Sequence, residues 1–167
     1  MAFQSSLNPT YAFGVIGELT SDGPQRVAPR LMNSSGTPNV VGYFYTRSNT
    51  TDICTVGGAI TNGSTVAGGI LVMPKAYASI GTTAGTLTPT LTLPDNWIGE
   101  FMEMGTIVVA LPAACNIGDL VTYVLATGAL GSVAPGSSAP GGSALVPNAV
   151  VRSYNTAAGI AAIRLTN

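Results

Sequence analysis

The sequence predicts an all-β fold, a small β-barrel or β-sandwich with an extended irregular N-terminal arm. Short alternating segments recur from Val40 to Leu165. Turn formers separate them, with 21 Gly and 11 Pro among 167 residues. Helical spacing surfaces only at Trp97, Phe101 and Met104, and Gly99 interrupts it.

Residues 1–39 read as the arm. Pro9, Gly14, Gly17, Gly23-Pro24, Pro29, Gly36 and Pro38 punctuate them too often for a long helix or a central strand. The segment nevertheless carries Phe3, Tyr11, Phe13, Val15, Ile16, Leu31 and Met32, large apolar groups that an exposed tail rarely holds. An extended arm laid across a surface reconciles the two, whether that surface is its own subunit's or a neighbour's. Residues 40–167 read as a single β domain. Val41, Tyr43 and Tyr45 alternate with Val40, Phe44 and Thr46, so both faces of that strand are expected to be covered. Asn62-Gly63 between Ala59–Thr61 and Ser64–Val66 is a hairpin signal, because both turn residues tolerate positive φ. A strand over Gly68–Met73 stops at Pro74, and Thr86–Leu93 alternates leucine with threonine, with Pro89 marking an edge. Further strands are expected at Thr106–Leu111, Leu120–Leu125, near Leu130–Val133, at Leu145–Tyr154 and at Gly159–Leu165. The Ala/Pro/Gly/Ser run at 134–143 reads as a flexible surface loop.

Charged residues are 8% of the chain, against about 25% in an ordinary soluble domain. With a net charge of −1, little repulsion keeps copies apart, and such a surface suits standing against other protein. Arg26, Arg30, Arg47, Lys75, Arg152 and Arg164 are scattered, which argues against nucleic acid as a partner. No apolar run approaches the 18 or so residues of a membrane span, and the first residues lack the pattern of a signal peptide. Synthesis and retention in the cytoplasm until assembly are therefore expected. Cys54 and Cys115 are expected as reduced thiols.

Catalytic chemistry is thin. Without histidine, Ser-His-Asp and Cys-His catalysis and histidine metal ligation are excluded, and two distant cysteines give no zinc spacing. Gly57-Gly58 and Gly68-Gly69 lack the lysine and helix of a phosphate loop. Glu100 with Glu103, assisted by Asp95, is the one pair that resembles a glycosidase site, although such glutamates usually lie on a solvated edge. Trp97 with Tyr43 and Tyr45 would suit sugar stacking, but aromatic residues in strands are more often core or interface. No enzyme, cofactor or metal is expected.

Several segments, in order along the chain, resemble the structural cement or decoration proteins of tailed bacteriophages. They are Phe13–Glu18, Gly23–Arg26, Ala67–Ala78, Gly118–Tyr123, Thr127–Leu130 and Gly159–Leu165. The resemblance implies a β-rich subunit, made in a bacterial cytoplasm, that oligomerises as a dimer or trimer on the outer face of the capsid. It implies the major capsid protein as partner, residence in the virion, and no enzyme. The residues proposed for that interface are Phe3, Tyr11, Phe13, Ile16, Arg26 and Arg30. The alternatives are a tail or fibre component with a similar fold and, more distantly, a carbohydrate-binding module.

Overall fold

The structure, a computed structural model, describes residues 14–20, 23–74, 92–155 and 159–166. The strands among them are β1 (Leu19–Thr20), β2 (Arg26–Met32), β3 (Asn39–Val40), β4 (Phe44–Ser48), β5 (Cys54–Val56) and β6 (Thr65–Leu71). After these come β7 (Thr92–Leu93), the long β8 (Trp97–Ala110), β9 (Leu120–Val124), β10 (Leu130–Val133), β11 (Ser143–Asn155) and β12 (Ile160–Leu165). The described residues contain no helix. The all-β expectation therefore holds, and Trp97, Phe101 and Met104 lie on β8.

The main sheet runs β10-β9-β11-β12-β8-β2-β5-β4-β6, and an added β6–β8 pairing closes β8, β2, β5, β4 and β6 into a barrel. One strand serves both halves. Trp97 to Met104 of β8 pair with β2, while Gly105 to Ala110 pair with β12. Between them stands Gly105 at φ 125°, a conformation that side chains other than glycine's rarely adopt.

Alternation explains the two cores. On β2 and β8 one face turns into the barrel, bringing Met32 and Phe101 together with Tyr45, Cys54, Val56 and Leu71. Tyr45 and Phe101 meet edge to face there, with ring centroids 5.1 Å apart. The opposite face carries Phe44, Ile70 and Met102 outward against Ile107, Val109, Tyr123, Val151 and Ile163 of the open sheet. Both faces of the Val40–Thr46 segment are thus covered, as expected, although a turn at Val41-Gly42 divides it into β3 and β4. Each such side chain contributes roughly 1.5–3 kcal/mol on burial, before ordering costs are subtracted.

The barrel–sheet seam is locked by backbone. Phe44 N–H donates to Gly128 O at 2.9 Å, Gly57 N–H to Phe44 O at 2.9 Å, and Gly58 N–H to Leu125 O at 2.7 Å. A Cβ on Gly57 would strike Leu125 O, and one on Gly128 would strike Phe44 O, so only glycine permits this approach. Phe44 and Tyr123 pack beside it with their rings tilted and centroids 4.3 Å apart.

The expected arm divides differently from the reading over 1–39. Residues 1–13 lie outside the described residues, whereas 26–32 form β2, a barrel strand. Pro29 is tolerated there because β2 meets β5 only at Met32, which leaves most of that edge free of a ladder. Asn62-Gly63 does turn the chain, with Gly63 at φ 92°. Residues 58–61 just before that turn form no strand, however, and β6 pairs with β4 instead. Of the expected edge strand at 86–93, only Thr92 and Leu93 are described; as β7 they pair with β3. Ala161, Ile163 and Leu165 enter the core with Arg164 outward, as the alternation predicts. Cys54 and Cys115 are unbonded, and burial pushes the Cys54 thiol up to about 12.

Candidate protein interface

Of the proposed interface residues, Phe3, Tyr11 and Phe13 lie outside the described residues. Ile16 packs against its own subunit, with a methyl where the Cβ of any residue replacing Gly42 would sit. Backbone bonds hold its neighbours: Gly17 N–H donates to Val108 O at 2.7 Å, and Met73 N–H donates to Gly17 O at 3.0 Å. The segment around Ile16 and Gly17 therefore belongs to the subunit's own fold.

Arg26 and Arg30 enter a network that sequence spacing did not reveal. Opposite the adjacent pair Arg26 and Val27 stand Met104 and Met102, so Glu103 is the extra residue of a bulge. A bulge re-aims its side chain. Glu103 accepts from Arg26 Nε at 2.9 Å and from Arg30 Nη2. Arg30 Nη1 donates to Asp52 Oδ1 at 2.9 Å, and Arg47 Nη1 reaches the same oxygen at 3.3 Å. Arg30 lies two residues from Met32 on the lumen face of β2, so this network ends the barrel's apolar stack. Burial pushes the Glu103 carboxyl up, but bonding and charge from Arg30, then Arg26, outweigh it and hold the group below its ordinary range. Burial works against the Arg30 charge, yet Glu103 and Asp52 keep it raised.

The proposed carboxylate pair does not converge. Glu100 is exposed opposite Pro29, whereas Glu103 is pinned by two arginines. Asp95 clamps the 34–39 loop, accepting from Ser34 N–H at 2.8 Å, Asn39 Nδ2 at 2.8 Å and Gly36 N–H at 3.0 Å. These bonds, led by that from Ser34, lower its pKa. A glycosidase acid needs a raised pKa, and the two shifts resolved here run the other way. The proposed stacking platform is also dispersed, since Tyr45 is wholly buried in the barrel while Trp97 is exposed.

Two surface features of the barrel bear on contact with protein. Leu31 and Ile98 oppose each other across β2 and β8 on the outer barrel wall, 39% and 65% exposed. At the seam between barrel and sheet lies a cleft of about 320 Å³, lined by Arg26, Arg47, Glu103, Val66, Pro147 and Leu165 among others. The apolar pair suits contact with a protein face, and the cleft carries two arginines in its lining.

The family described as Structural cement protein (E217 gp24/Pam3 gp6) matches residues 3–166. A chain of the solved structure "The capsid of Myoviridae Phage XM1" superposes with a TM-score of 0.64 at 15% identity, covering 100% of this chain and 99% of that one. At that identity the likeness establishes the fold. No curated protein matches the chain. With a match across nearly its whole length and an all-β architecture to agree with it, the chain belongs to the phage structural cement proteins, a capsid-associated structural component of the virion.

Proposed function

We propose that this cement protein binds the outer surface of the major capsid protein lattice as a homo-oligomer, a dimer or trimer, and stabilises the shell without catalysis. The family match over residues 3–166 carries the reading. The 8% charged composition and the exposed Leu31–Ile98 pair support it, because a sparsely charged wall loses little hydration when protein covers it. Multivalency supplies the strength: once one subunit of an oligomer docks, the next contact is effectively intramolecular. The pinned Glu103 and Asp95 support the non-catalytic part.

The test is the copy number in purified particles relative to the major capsid protein, with cement-free shells compared for heat resistance. A high fixed ratio and a less resistant bare shell are expected. A few copies per particle would instead indicate a tail or fibre component. Residues 2–13 are assigned to docking, with Phe3, Tyr11 and Phe13 as apolar anchors. Ile16 is retained by its own subunit, so a deletion testing this assignment stops at residue 13. The truncated protein should fold and bind shells more weakly; unchanged binding removes the segment from the mechanism.

A further inference from the structure

We infer that the cleft between barrel and sheet captures an acidic side chain from the capsid lattice protein. The inference rests on the capsid-binding reading and adds to it a place and a chemistry. Three arginines, Arg26, Arg30 and Arg47, share two carboxylates, Glu103 and Asp52. The network is therefore one negative charge short of balance. Arg47 Nε is buried and makes no hydrogen bond to any described residue. Arg26 engages Glu103 through Nε and is half exposed, leaving its Nη groups without a partner among the described residues. Both arginines line the cleft.

A buried donor without an acceptor is costly, and a guanidinium fork matches a carboxylate geometrically. A carboxylate entering the cleft would accept from Nη groups of Arg26 and Arg47, equalising the charges at three against three. The other walls select what carries it. Val66 of β6, Pro147 of β11 and Leu165 of β12 line the cleft with apolar surface. A glutamate or aspartate flanked by apolar residues fits that lining, whereas a polyanion such as nucleic acid would meet Glu103 and find no run of cations. The β11 wall is fixed by its register shift between Leu145 and Val150, where Asn148 stands at φ 53°. Thr166 N–H donates to Asn148 O at 2.9 Å, holding this shape to the chain beyond β12.

The test uses the full-length protein and purified cement-free capsids. The double variant Arg26→Gln/Arg47→Gln should bind capsids at least about tenfold more weakly, with a shallower dependence on salt. Arg164→Gln removes the same kind of charge from the outer face of β12 and should leave affinity unchanged. Thermal unfolding verifies that each variant is folded. If the double variant is not, Arg26→Gln alone serves, with a loss of about threefold expected. In parallel, nuclear magnetic resonance of the free protein follows the Arg47 Nε–Hε signal during titration with sodium acetate, against sodium chloride at equal ionic strength. A saturable shift in acetate alone is expected. Wild-type protein that fails to bind capsids while the signal still moves would sink the capsid reading and leave the cleft standing. Capsid affinity unchanged in the folded variant, or an Arg47 signal indifferent to acetate, overturns the cleft.

Discussion

Replacing Glu103 with glutamine should expose how much the barrel depends on one bulge. The carboxylate accepts from Arg26 and Arg30, whose side chains are 48% and 11% exposed, while its own is 22% exposed. A fully buried pair that loses one partner costs about 3–5 kcal/mol, and a surface pair about 0–1. The Arg30 bond lies near the buried limit and the Arg26 bond near the surface limit. Glutamine keeps one acceptor, and Asp52 still holds Arg30, so a loss of about 2–3 kcal/mol is expected. In thermal unfolding that corresponds to roughly 5–10 °C for a chain of this size. Because the Glu103 pKa is depressed, its stabilisation is present above the unfolded value of about 4.3 and is lost as pH falls through the folded one. The wild type should therefore lose more stability than the variant on acidification below about pH 4.3. Urea titration at pH 7 and pH 3 measures both quantities. The double variant Arg30→Met/Glu103→Met supplies the control: with both charges gone, its loss should fall short of the summed single losses by about 1–3 kcal/mol. A Glu103→Gln loss under about 0.5 kcal/mol, or strictly additive singles, would falsify the reasoning.

Three other perturbations probe other parts of the fold. Asp95→Asn weakens the clamp on Ser34, Gly36 and Asn39, and should cost about 1 kcal/mol by urea titration at neutral pH, less in acid, since the Asp95 pKa is also depressed. Gly136→Ala places a side chain in open space at φ 82° and should cost about 1–2 kcal/mol, whereas Gly128→Ala adds a clash with Phe44 O at φ 74°. Equal melting temperatures for the two would refute the seam as a close-packed joint. Cys54 is wholly buried with its thiol pushed up to about 12, whereas Cys115 is half-buried, so iodoacetamide at pH 8 should label Cys115 first. Simultaneous labelling of the native protein contradicts that placement.

The strands from β9 to β12 were legible because each is bounded by its own turn. Gly118-Asp119 and Thr127-Gly128 mark the turns, and hydrophobic alternation returns at Leu145 and Ala161. What local patterning could not convey was pairing. Asn62-Gly63 turns the chain as a hairpin residue pair should, yet β6 joins β4, because closing the barrel buries Tyr45, Leu71 and Phe101 together. Proline made residues 26–32 look like arm, and only the largely open edge beside β2 accommodates Pro29. The arginine network was hidden for a similar reason. Residues 26, 30, 47, 52 and 103 have no shared spacing, and the bulge that turns Glu103 toward them exists only once β2 and β8 are in register.

Strand β8 bears on what a cement must do. Fourteen residues long, it would extend roughly 45 Å, passing from the barrel wall into the open sheet without a chain break. The Leu31–Ile98 wall lies along its first half, and the cleft sits where the two halves meet. Phe44 and Tyr123 fill the seam, while Gly57 and Gly128 let the backbones bond across it, so the spacing between these surfaces is set within the subunit. Such preorganisation lowers the ordering cost of each contact. A shell lattice repeats its binding surfaces at fixed intervals, and a subunit that flexed at the seam would lose effective concentration at every second contact. On this argument the seam glycines contribute to attachment as well as to folding. A Gly128→Ala protein that remains folded should then dock to single capsid subunits normally and to assembled shells more weakly. Equal loss at both would confine the seam to folding.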